Sequence, residues 1–78
     1  MRWIETIPHE HCGIHIFHGN GKYILKIEWL DWEQVYKISD QTPNAVAFLK
    51  EKITVSFLNT CLQRFLTMKD DIFVVENF

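Results

Sequence analysis

The 78 residues predict an α+β fold, a small antiparallel sheet packed against one long or kinked helix. Three observations carry that reading. Asn20-Gly21 lies between two β-rich runs, Thr42-Pro43 opens a stretch of apolar residues at helical spacing, and Ile72-Phe73-Val74-Val75 is a short β-branched run behind Lys69-Asp70-Asp71. No repeat, low-complexity tract or linker divides the chain, so residues 1–78 read as a single domain. A chain this short buries only roughly 60–65% of the surface its unfolded form exposes, which leaves a thin stability margin that dimerisation commonly supplements.

The first element is a β-hairpin over residues 12–29. Asn-Gly accepts positive φ at both central positions of a type I′ turn, so Gly19 pairs with Lys22 and the remaining partners follow by counting outward. His18 then faces Tyr23, Ile16 faces Leu25, Ile14 faces Ile27 and Cys12 faces Trp29, all on one side, which becomes the core face. The other side sets Phe17 against Ile24, His15 against Lys26, Gly13 against Glu28 and His11 against Leu30. A three-residue turn would mix Ile14 and Ile16 with Lys22 and Glu28 and spoil this segregation, so the two-residue register is preferred.

Residues 32–38 alternate Trp32, Gln34, Tyr36 and Ile38 with Glu33, Val35 and Lys37, which predicts a third strand. Asp31 with Gln34 three residues on also fits a helix N-cap and its reciprocal box, and the strand is preferred because two strands alone make a marginal sheet. Thr42-Pro43 is a helix start, and the helix is expected over residues 43–67. On a helical wheel Ala45, Val46, Leu49, Ile53 and Phe57 share one face, whereas Leu58, Cys61, Leu62, Phe65 and Leu66 share another rotated by roughly 120°. One straight helix cannot lay both on one sheet. Either it breaks or kinks near 53–57, or its second half packs on something else, such as another copy. Residues 53–57 also alternate as a strand would, but no turn residues isolate them. The run at 72–76 is expected as a last strand joining the sheet.

Composition narrows function more than it defines it. With 47% apolar and 14% aromatic residues the chain is a folding one, and eight Lys and Arg against ten Asp and Glu give a net charge of −2. No global field therefore draws it to nucleic acid or to anionic lipid. The N-terminus lacks the apolar run of a signal peptide and no segment is apolar for long enough to span a bilayer, which predicts a cytoplasmic protein with no membrane partner. Cys12 and Cys61 lie far apart without Cys-x-x-Cys spacing and read as reduced, buried residues.

All four histidines fall between positions 9 and 18. His9 and His11 have the His-x-His spacing that sets two imidazoles about 6.5–7 Å apart on one side of a strand, and His15 shares their parity, so a Zn or Ni site at His9, His11 and His15 is an alternative. Against it, Lys26 is expected opposite His15, and His18 turns to the core side. The plainer expectation is a polar strand face with one histidine hydrogen-bonded at the hairpin tip. No cofactor is expected.

Enzyme motifs are missing from the sequence. The Gly21-Lys22 pair lacks phosphate-loop spacing, Cys12 points away from its neighbouring histidines along a strand, and Asp70-Asp71 reads as a solvated turn. The expected function is a non-enzymatic protein-interaction or regulatory module that binds a protein partner or forms a homodimer through exposed apolar and aromatic surface. The candidate contact residues are Phe17, Ile24 and Lys26 on the outer hairpin face, Trp32 beside it, and Leu58, Leu62 and Phe65 on the second helical face. The alternative is single-stranded nucleic-acid binding at Phe17, Lys22 and Lys26, where an aromatic among cations can stack a base.

Overall fold

The computed structural model describes residues 1–76, with side chains described as far as residue 72. It consists of strands β1 (Arg2–Thr6), β2 (Gly13–Gly19), β3 (Lys22–Trp29) and β4 (Trp32–Ser39), followed by helices α1 (Ala45–Lys52) and α2 (Val55–Glu76). The strands form one antiparallel sheet in the order β1-β2-β3-β4, and both helices place their buried residues against one of its faces. The fold class is the α+β class expected.

The hairpin register holds from the turn as far as β2 runs, with Gly19 opposite Lys22, Ile16 opposite Leu25, Ile14 opposite Ile27 and Gly13 opposite Glu28. The expected pairs of Cys12 with Trp29 and His11 with Leu30 are corrected, because the chain just before Gly13 is a loop and not a strand. Asn20 at φ 52° and Gly21 at φ 75° make the left-handed turn that Asn-Gly favours. β4 pairs with β3 along its whole length, from Lys22 opposite Ser39 to Trp29 opposite Trp32. The turn between them, Leu30-Asp31, carries no Gly or Asn. Leu30 takes φ 54° instead, at a cost of about 1 kcal/mol.

β1 is the strand the sequence pattern hides. Its register against β2 shifts between Trp3 and Glu5, so Trp3 pairs with Phe17 while Glu5 pairs with Ile16. Such a bulge inserts an extra residue and destroys period-2 alternation. Ile4 and Ile7, three apart, both pack against the core as a result.

The helical region breaks where the two apolar faces demanded it. α1 ends at Lys52, and Thr54 caps α2: its hydroxyl accepts the Phe57 N–H at 3.1 Å and its carbonyl accepts the Leu58 N–H at 2.9 Å. Ile53 and Leu58 then occupy the positions of a hydrophobic staple, and both belong to the core assembly. The break turns the two faces onto the same sheet, so Ala45 and Leu49 of α1 and Leu58, Cys61 and Phe65 of α2 are all buried. α1 starts two residues later than expected, behind Asn44 in the left-handed region at φ 50°.

The expected strand at 72–76 is corrected: those residues continue α2. No Gly or Pro stops the helix after Met68. Once nucleated, a helix propagates through β-branched residues that cost only a few tenths of a kcal/mol each.

The core is Cys12, Ile14, Ile16, Leu25 and Ile27 from the sheet side, closed by Leu49, Leu58, Cys61 and Phe65. Trp29 lies 5.9 Å from Phe65, ring centre to ring centre, and Tyr36 lies 5.6 Å from Phe57. A polar seam crosses this interface. Gln34 Nε2 donates to the Cys61 carbonyl at 2.8 Å, Tyr36 Oη donates to Gln34 Oε1 at 3.2 Å, and Arg64 Nη1 donates to Tyr36 Oη at 2.6 Å. Burial first, then the contact with the Cys61 thiol, raises the Tyr36 hydroxyl above its ordinary pKa.

Candidate functional site

The sheet has a second face, and none of the described elements lies over it. The pairing registers assign its members: Trp3 and Thr6 from β1, His15 and Phe17 from β2, Ile24, Lys26 and Glu28 from β3, and Glu33, Val35 and Lys37 from β4. Trp3 is 58% exposed and Val35 45%.

One side of this face is ordered by a hydrogen-bond chain. Trp3 Nε1 donates to Thr6 Oγ1 at 2.9 Å, the Thr6 hydroxyl meets His15 Nδ1 at 2.9 Å, and His15 Nε2 lies 3.9 Å from Glu28 Oε2. With its proton on Nε2, the His15 ring accepts the Thr6 hydroxyl at Nδ1, and Glu28 stands beyond hydrogen-bond reach of Nε2 as an electrostatic neighbour. Gly13 keeps room for that arrangement, since a Cβ there would sit 3.1 Å from His15 Nε2. Beside the chain, Lys26 Nζ stands 5.4 Å from the centre of the Phe17 ring, and His15 stands 6.2 Å from the same ring. Phe17 and Lys26 are half-buried by these mutual contacts.

Ile24 is corrected as an exposed contact residue, being only 9% accessible. Read as part of a two-stranded hairpin it faces solvent, but β3 is an inner strand of four, and Phe17 on one side and Lys37 on the other flank it. Leu58 and Phe65 are corrected as well: both are buried in the chain's own core, Phe65 with no accessible surface, because the helix break delivers them to the sheet. Leu62 and Trp32 are half-buried against that same core. The second helical face therefore has its partner within one copy.

The three-histidine cluster is not assembled. Residues 7–12 form a loop after β1 rather than a strand, with Pro8 at its start, and His9 Nδ1 is used as acceptor for the His11 N–H at 3.1 Å. The His9 and His11 rings meet edge to face at 5.9 Å, while His15 is held on the sheet by Thr6. Among the described residues no three His, Cys, Asp or Glu side chains are grouped to hold a metal ion.

His18 lies at the hairpin tip on the core side, its ring 4.7 Å from that of Tyr23, and its Nε2 donates to Asp40 Oδ2 at 3.2 Å. That bond first, and one from Gln41 second, hold the Asp40 carboxyl below its ordinary pKa. The partner was not legible beforehand, since Asp40 lies beyond β4 and reaches His18 only once β4 is paired. Burial, with the nearby Cys61 thiol second, pushes the Cys12 thiol up, away from the thiolate that nucleophilic chemistry requires. Both cysteines are free and buried.

Comparison with known protein families, with curated proteins and with solved structures finds no match to this chain. Among the described residues no helix is long and apolar enough to cross a membrane.

Proposed function

We propose that this chain is a non-enzymatic protein-interaction module of a regulatory kind that associates with itself. The observation that supports the reading is the uncovered sheet face with its exposed Trp3 and Val35, ending at a free strand edge on β4. Aromatic and branched apolar side chains fixed on a rigid sheet lose little entropy on binding, and they dominate the energy of protein interfaces. A thin core in a short chain gives a second copy room to add stability.

Sedimentation velocity from micromolar to near-millimolar protein tests the reading. A mass that rises with concentration supports it, and a monomer throughout overturns self-association. The stacking of Lys26 on Phe17 favours the second reading, a single-stranded nucleic acid lying across the same face, with Lys22 at the hairpin tip. That reading requires an oligonucleotide shift that weakens steeply between about 50 and 200 mM salt; binding that salt leaves unchanged removes it.

A further inference from the structure

The sheet has two edges of unlike character. β1 is five residues long and bulged, a common defence against edge-to-edge pairing. β4 is eight residues long, contains no proline and keeps a regular register throughout. The Asp40 N–H donates to the Gly21 carbonyl at 3.0 Å, which fixes the direction of every other backbone group on β4. By antiparallel alternation Trp32, Gln34, Tyr36 and Ile38 bond to β3, so the N–H and C=O groups of Glu33, Val35 and Lys37 point out of the sheet at its open edge. The side chains of those same three residues are exposed.

We infer that two copies of this chain dimerise by antiparallel pairing of β4 with β4, about a two-fold axis through Val35. The inference deepens the self-association reading and rests on it. Charge selects the register. Centring on Val35 sets Val35 against its own copy and Glu33 opposite Lys37 twice, with about six main-chain hydrogen bonds closing the gap. Moving the axis by one residue sets Glu33 or Lys37 against Val35. Moving it by two sets Glu33 against Glu33 or Lys37 against Lys37, which is repulsive. On the helix side the same register brings half-buried Trp32 opposite half-buried Ile38, an apolar pair formed twice, and sets Gln34 opposite Tyr36. A groove of about 420 Å³ between Gln34 and the Thr60, Arg64 and Thr67 flank of α2 runs beside this edge, where the second copy's helix layer would arrive. The two sheets merge into one, and the outer faces with Trp3 and Phe17 become continuous.

Cross-linking tests the register. In a hydrogen-bonded antiparallel pair the Cα atoms stand about 5.5 Å apart, within disulfide reach, so Val35→Cys is expected to give a disulfide-linked dimer on mild oxidation. In Glu33→Cys the two sulfurs would start from Cα atoms about 13 Å apart, and that variant stays unlinked. Cys12 and Cys61 are buried and do not interfere. Glu33→Lys and Lys37→Glu are each expected to weaken the dimer about tenfold, and an equimolar mixture of the two to restore it as a heterodimer. Far-UV circular dichroism identifies any variant that fails to fold. Equal cross-linking at both positions, or charge variants that dimerise like the parent, overturns the β4 geometry while leaving self-association intact. A parent chain that stays monomeric overturns both.

Discussion

Ile27→Ala is the sharpest test of how the sheet is oriented. Ile27 has no accessible surface, faces Ile14 across the hairpin and sits among the residues closed over by α2. Truncation removes roughly three carbon groups at about 0.8 kcal/mol each, some 2.4 kcal/mol of transfer energy. The flanking strands hold the site open, so a cavity contribution raises the loss to about 3–4 kcal/mol. A chain of this length holds about 4–12 kcal/mol in total, which makes the variant marginal, with Tm lower by roughly 15–30 °C. Urea unfolding followed by tryptophan fluorescence reads the change as a lower midpoint at constant slope, with Trp29 beside Phe65 as a core reporter. Phe17→Ala is the control. Phe17 is half-buried on the uncovered face, and its loss should cost about 1 kcal/mol or less. A larger loss for Phe17 than for Ile27 would mean that the helices cover the other face.

Thr54→Ala removes the hydroxyl that caps α2 and is expected to cost about 0.5–2 kcal/mol by urea unfolding, whereas Thr60→Ala, whose hydroxyl only donates back to the Ser56 carbonyl, should be near neutral. Asp40→Asn changes the acid limb of stability. A carboxyl whose folded pKa is depressed contributes stability that is fully present above its unfolded value of about 3.9 and is lost as pH falls through the lower folded value, so the gap between parent and variant closes below about pH 4. A gap that persists undiminished below about pH 4 would contradict the depressed Asp40 carboxyl.

The parts of the fold visible in the sequence are those fixed by local chemistry. Asn20-Gly21 allows one turn, and the turn sets every partner from Gly19 to Gly13. Alternation from Trp32 to Ile38 marks β4, and the rotation between Leu49 and Leu58 announces a helix break without saying where Thr54 would cap it. What stayed hidden depends on tertiary pairing. The bulge between Trp3 and Glu5 spaces Ile4 and Ile7 in a way that matches neither strand nor helix. Ile24 looks exposed until β4 flanks β3. The apolar run at 72–75 has strand composition, but a helix already running into it with no Gly or Pro to stop it decides otherwise. Of the outer face, Phe17 and Lys26 were legible from the hairpin alone; Trp3, Thr6 and Val35 join them only when four strands are counted. The histidine cluster illustrates the reverse case, adjacency in sequence that the fold disperses to a loop, a sheet face and a hairpin tip.

Amide hydrogen exchange at Val35 measures the proposed assembly most directly. Its N–H points out of the sheet in a single copy, whereas the Tyr36 N–H is bonded to β3 whether or not a second copy is present. Val35, with Glu33 and Lys37, is expected to exchange quickly in dilute solution and slowly once the mass has doubled, while Tyr36 stays protected at both concentrations. A Val35 amide that exchanges equally fast in monomer and dimer would place the interface elsewhere on the chain.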